Sequence, residues 1–61
     1  MLNRWEADNT RLLLHAVSDA IACGASPSAL AFYGKAAEAL ACGCIGTYLI
    51  DFHLGEKYAL S

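Results

Sequence analysis

The stretch CGASPS, residues 23–28, separates two long runs of helical periodicity and decides how this chain folds. Gly24 stands where a left-handed residue usually ends a helix. Ser26 is a favoured N-cap, and Pro27 suits the first helical position, where its missing N–H costs nothing. Because short connections favour antiparallel neighbours, residues 24–28 predict the turn of a helical hairpin.

The residues before the turn predict a first helix over about residues 4–23. Asn3 is a good N-cap, and Glu6 stands where a capping-box acid belongs. At about 100° per residue, the apolar residues of this segment gather on one side and the polar ones on the other. We interpret the polar side as a solvated face rather than a recognition stripe centred on Arg11 and His15. It contains two pairs with ion-pair spacing, Arg4–Asp8 and His15–Asp19.

The residues after the turn predict a second helix over about residues 28–52. Gly43 and Gly46 each weaken a helix by about 1 kcal/mol relative to alanine, so we expect a bend there. Gly55 is expected to end this helix and to leave a short tail, residues 55–61. Residues 47–54 also alternate between apolar and polar, which indicates as an alternative two helices plus a C-terminal strand.

Composition restricts the class of protein. The chain has 61 residues, of which 57% are hydrophobic and 16% charged, with a net charge of −2. Disorder requires low hydrophobicity and high net charge, so we expect one folded domain, residues 1–61. The acidic balance argues against binding to nucleic acid.

The two predicted helices carry more apolar surface than one hairpin buries. We therefore predict an all-α fold in which two hairpins form a homodimeric four-helix bundle. The residues expected in the core or dimer seam are Leu13, Val17, Ala20, Leu30, Ala37, Leu40 and Cys44.

The sequence contains none of the familiar catalytic or metal-binding motifs, so we expect no catalytic residue, metal site or cofactor. Cys23, Cys42 and Cys44 are an odd number of cysteines, which fits no closed set of disulfides. Only one residue separates Cys42 from Cys44, whereas zinc modules use two to four. The N-terminal residues are polar and resemble no secretory signal. We expect a cytoplasmic protein whose cysteines are small, buried apolar residues.

These features favour a small, non-enzymatic, homodimeric helical protein that binds and modulates a larger protein as an adaptor, inhibitor or accessory regulator. Large amphipathic side chains near the ends of helices are good anchors for a partner. In an antiparallel hairpin the start of the first helix lies beside the end of the second, so we expect a mixed aromatic and acidic patch there. The alternatives are a small membrane-associated helical protein and a nucleic-acid-binding regulator. The partner-binding residues predicted for this patch are Trp5, Tyr48, Asp51 and Phe52.

Overall fold

The computed structural model describes residues 3–60 as three helices: α1 (Arg4–Ala22), α2 (Pro27–Cys42) and α3 (Ile45–Leu60). The all-helical prediction is confirmed over these residues. Residues 47–54 belong to α3, so the alternative with a C-terminal strand is wrong. Met1 and Leu2 of the predicted domain, and Ser61 of the predicted tail, lie outside the described residues.

The predicted signals around the first turn appear as hydrogen bonds. Asn3 and Glu6 form the capping box, in which the backbone N–H of Glu6 donates to Oδ1 of Asn3 at 2.8 Å. Gly24 has φ 72°, and the backbone N–H of Ala25 donates to the carbonyl of Ala20 at 2.9 Å, which closes a Schellman motif. Ser26 caps α2 through its side chain. These local interactions turn the chain between α1 and α2.

The prediction of one continuous helix over residues 28–52 is wrong, because α2 ends at Cys42 and α3 begins at Ile45. Gly43 has φ 77°, a left-handed conformation that side chains disfavour. The backbone N–H of Cys44 donates to the carbonyl of Ala39 at 2.8 Å, so this turn repeats the Schellman motif of the first. Gly43 therefore reverses the chain instead of bending a helix.

The predicted tail is also wrong as far as it is described, because residues 55–60 continue α3. Gly55 is buried inside this helix and lies against the ring of Tyr33 in α2. Its missing side chain lets the two backbones approach closely, and α2 and α3 are the most closely packed pair of helices. A second ring contact joins them where Phe32 stacks on Tyr58 at 5.3 Å between centroids.

The core lies mainly along α2, and small residues form much of it. Of the predicted seam, Leu13, Ala20 and Leu40 are buried, and Val17 and Leu30 pack against the core from its edge. Ala29, Ala36 and Ala39 of α2 are buried as well.

Two members of the predicted seam, Ala37 and Cys44, are exposed. Ala37 lies on a side of α2 that neither neighbour covers, and Cys44 lies in the turn between α2 and α3. Cys23 and Cys42 are exposed as well, since both lie where helices end. The prediction that the cysteines are buried is therefore wrong.

Candidate functional site

The main concave feature of the described chain is a groove of about 480 Å³ between the C-terminal halves of α1 and α3. We call it the α1–α3 groove. Its walls come from α1 and α3, and the ring of Tyr33 in α2 contributes to its floor. The groove is lined by Leu12, His15, Ala16, Asp19, Ala20, Cys23, Tyr33, Phe52, Glu56, Ala59 and Leu60.

The ring and hydrogen-bond contacts between α1 and α3 in residues 3–60 lie at one end of these helices. The ring of Trp5 contacts the ring of Tyr48 edge-on at 5.9 Å between centroids. The Tyr48 hydroxyl donates to Oδ1 of Asn9 at 3.1 Å, and the Asn9 amide donates to the carbonyl of Trp5 at 2.9 Å. Overall, α1 and α3 have the fewest contacts of the three helix pairs. They are joined near their N-termini and leave the groove open toward Cys23 and Leu60.

Tyr33 is a tightly packed part of the groove floor. It is 4% exposed and packs edge-on against Phe52 at 5.7 Å between centroids. Burial raises the pKa of Tyr33, and the negative charge of Glu56 raises it further. The phenol is therefore neutral at physiological pH, and the floor is an aromatic surface.

The charged groups along the groove have one sign. Asp19 on the α1 wall and Glu56 on the α3 wall are both exposed carboxylates. No Lys or Arg is among the lining residues, and His15 is the only lining group that gains a positive charge on protonation. The groove is thus an apolar channel with acidic walls.

The polar side chains of the groove do not form a hydrogen-bonded group. In residues 3–60, no side-chain hydrogen bond joins any two of His15, Asp19, Cys23 and Glu56, although the backbone N–H of Cys23 donates to the carbonyl of Asp19 at 3.0 Å. The same part of the chain contains no group of three His, Cys, Asp or Glu side chains that could hold a metal ion.

The structure brings together the aromatic residues predicted to bind a partner, but largely in the interior. Trp5 contacts Tyr48, and Tyr48 lies 5.8 Å from Phe52 between ring centroids. Tyr48 is 1% exposed, Phe52 and Asp51 are half-buried, and Trp5 is 39% exposed. Only Trp5 thus offers a large part of its ring to a partner, because the other two rings fill the junction of the helices. A partner-binding role for the four residues stays a prediction.

The sequence analysis did not predict the groove, although it did separate the apolar residues of α1 from the polar ones. Leu12, Ala16 and Cys23 were assigned to the apolar side of α1, and His15 and Asp19 to the solvated side. Residues from the apolar side and from the solvated side of α1 both line the groove, because the boundary between the two sides faces the gap between α1 and α3. Glu56 and Leu60 had no helical assignment, because residues 55–61 were predicted to be a tail.

A small hollow of about 210 Å³ lies at the opposite end of the molecule. Trp5 and Ile45 line it together with residues of the α1 cap and the α2–α3 turn. It lacks the paired acidic side chains of the α1–α3 groove, so the groove is the stronger candidate site. Of the helices described in residues 3–60, none combines the length and apolarity needed to cross a membrane.

Comparison of the chain with protein-family models, with curated proteins and with solved structures gives no match.

Proposed function

We propose that this chain is a small, non-enzymatic, homodimeric helical protein that binds and modulates a larger protein in the cytoplasm. The observation that supports this proposal is the number of large apolar side chains left in water. Scattered apolar residues are normal on a protein surface, whereas gathered ones mark interaction sites. Those more than a third exposed are Trp5, Leu12, Leu14, Ile21, Ile45, Leu49, Ile50, Tyr58 and Leu60.

These side chains fall on more than one surface. Leu14 and Ile21 are seven residues apart on α1, so they lie on the same side of the helix two turns from each other. They are 63% and 61% exposed, and neither lines the α1–α3 groove. Leu12 and Leu60, in contrast, lie on the walls of the groove. One surface is thus available for a second copy and another for a different partner.

The proposed dimer uses the surface formed by Leu14 and Ile21. Sedimentation equilibrium at micromolar concentration should give twice the chain mass of 6.5 kDa. L14S/I21S should sediment as a monomer with unchanged helical circular dichroism. The control L49S/I50S removes the same two types of exposed side chain from α3 and should remain dimeric. A monomeric wild-type protein, or equal loss of dimer in both variants, would contradict this dimer.

The proposed partner is tested by capture from the source cell on immobilised wild-type chain. The protein captured should be released by excess free chain, and its own activity should change when the purified chain is added. L12S serves to locate the contact, because Leu12 is 53% exposed on the wall of the groove. Failure to capture a competable protein, or recovery of the expressed chain mainly in detergent extracts, would contradict the proposal.

A further inference from the structure

We propose that the α1–α3 groove binds one amphipathic helix of the partner, with an apolar face in the groove and Lys or Arg side chains paired with Asp19 and Glu56. This proposal rests on the proposed function, because it names the part of the partner that the chain recognises.

The length of the groove is suited to one face of a short helix. Its lining extends along α1 from Leu12 to Cys23, which corresponds to about 16 Å or three helical turns. Both walls are helices, and the floor combines the ring of Tyr33 with the small side chain of Ala20. A helix laid in such a channel becomes the fourth member of a bundle and buries its apolar residues at i, i+3, i+4 and i+7.

Exposed leucines extend the apolar surface along the groove. Leu12 on the α1 wall is 53% exposed, and Leu60 near the open end of the α3 wall is 91% exposed. Leu12 lies eight residues, about 12 Å, before Ala20 along α1, so a compact ligand beside Ala20 leaves Leu12 in water. An extended occupant such as a helix covers both.

Charge decides between the possible occupants. A segment seated between Asp19 and Glu56 is repelled if it is acidic and stabilised if it carries Lys or Arg. A second copy of this chain lacks such a segment, since none of its three helices contains more Lys and Arg than Asp and Glu. The walls therefore match a basic amphipathic helix from another protein.

The experiment uses two synthetic helical peptides of about 14 residues, a length of about 21 Å. Both carry leucine at i, i+3, i+4 and i+7. One has lysine at the positions that flank the leucines, and the other has glutamate there. Binding to the full chain is measured by fluorescence anisotropy of a dye on the peptide. We expect the lysine peptide to bind at least about tenfold more tightly at low salt, and the difference to shrink in about 500 mM salt.

Charge reversal in the groove locates the effect. D19K/E56K should invert the preference, so that the glutamate peptide binds more tightly. The control D8K/E38K changes the net charge by the same amount at exposed positions outside the groove, and it should still prefer the lysine peptide. A16W places a bulky ring in the groove and should weaken both peptides. Circular dichroism of each variant identifies any that fails to fold.

Several outcomes would overturn the proposal. Equal binding of the two peptides, no binding of either, or the same inversion in D8K/E38K as in D19K/E56K would exclude a groove-specific basic helix. Dissociation of the dimer in D19K/E56K alone would mean that a second copy covers the groove. If D19K/E56K still captures the cellular partner with wild-type affinity, the groove assignment fails while the proposed function stands. If the wild-type chain captures no protein that excess free chain releases, the proposed function itself is refuted.

Discussion

Gly55 of α3 lies directly against the ring of Tyr33 in α2. A Cβ atom on Gly55 would come within 2.7 Å of both Cδ1 and Cε1 of that ring, far inside van der Waals contact. Tyr33 cannot easily move away, because it is buried and held edge-on against Phe52. The contact between Gly55 and Tyr33 thus belongs both to the packing of α3 on α2 and to the floor of the groove.

We expect Gly55→Ala to lower the free energy of unfolding by up to about 2 kcal/mol. Alanine favours a helix over glycine by about 1 kcal/mol, but an extra carbon in a packed core costs about 1–3 kcal/mol. The matched control is Gly34→Ala in α2, which has no neighbouring atom within 4 Å of the new Cβ. That variant should be stabilised by up to about 1 kcal/mol. Urea unfolding measures both, and equal stabilisation would contradict the packing of Gly55 on Tyr33.

Tyr48→Phe should lower the free energy of unfolding by about 0.5–1.5 kcal/mol. The change deletes the hydroxyl that donates to Oδ1 of Asn9 and leaves that half-buried oxygen without this donor. Tyr33→Phe is the control, because the Tyr33 hydroxyl makes no hydrogen bond to any residue among 3–60. The free energy of unfolding should change less in Tyr33→Phe than in Tyr48→Phe when both are measured by the same urea titration at neutral pH. A larger loss in Tyr33→Phe would show that the bond to Asn9 contributes little.

Stability should fall as the pH rises above about 10. The pKa values of Tyr33 and Tyr48 are raised by burial and by the charge of Glu56. Between the unfolded value of about 10 and the raised folded values, the unfolded chain binds fewer protons than the folded one. The free energy of unfolding therefore decreases as the pH rises across that interval. The stabilising contribution of the two protonated tyrosines is fully present below it. Urea unfolding from about pH 8 to about pH 11 measures the slope, which should be smaller in Tyr33→Phe. An identical slope in both proteins would argue against a raised Tyr33 pKa.

Leu40→Asp should unfold the protein. Leu40 is 6% exposed in the core, and a carboxylate there has no partner to offset its loss of water. Arg11→Ala changes an exposed residue of α1 and should alter the free energy of unfolding by less than about 0.5 kcal/mol. Circular dichroism and thermal unfolding compare the two. Similar damage from both changes would mean that the buried faces are assigned wrongly.

Signals that act within a few residues were predicted well. The Asn3–Glu6 capping box, the left-handed Gly24 and the Ser26 cap all form as expected, since each depends on neighbours along the chain. The spacing of Arg4 and Asp8 also predicted a contact, and their side chains lie 3.8 Å apart. That pair is exposed and contributes little to stability.

The glycines were harder to interpret because the same residue serves different purposes. Gly43 adopts a left-handed conformation and ends α2, whereas Gly55 stays helical and provides space for Tyr33. The sequence analysis predicted a bend at Gly43 and a helix end at Gly55. Glycine has the same intrinsic helix propensity at both positions, so propensity could not reveal their different roles. Gly43 has no neighbouring atom within 4 Å of a Cβ built on it and acts through its backbone conformation, whereas the role of Gly55 depends on its contact with Tyr33 of α2.

The sequence by itself determined that the described chain is helical, where α1 begins and how the first turn is closed, because caps and periodicity act through local hydrogen bonds and side-chain spacing. Only the tertiary structure decided that Tyr48 is buried, that the cysteines are exposed and that Asp19 and Glu56 line one groove. These properties depend on contacts between residues far apart in the chain. Once Gly43 reverses the chain, α3 packs on α2 through Gly55 and contacts α1 through Tyr48, and the space left between α1 and α3 becomes the candidate site.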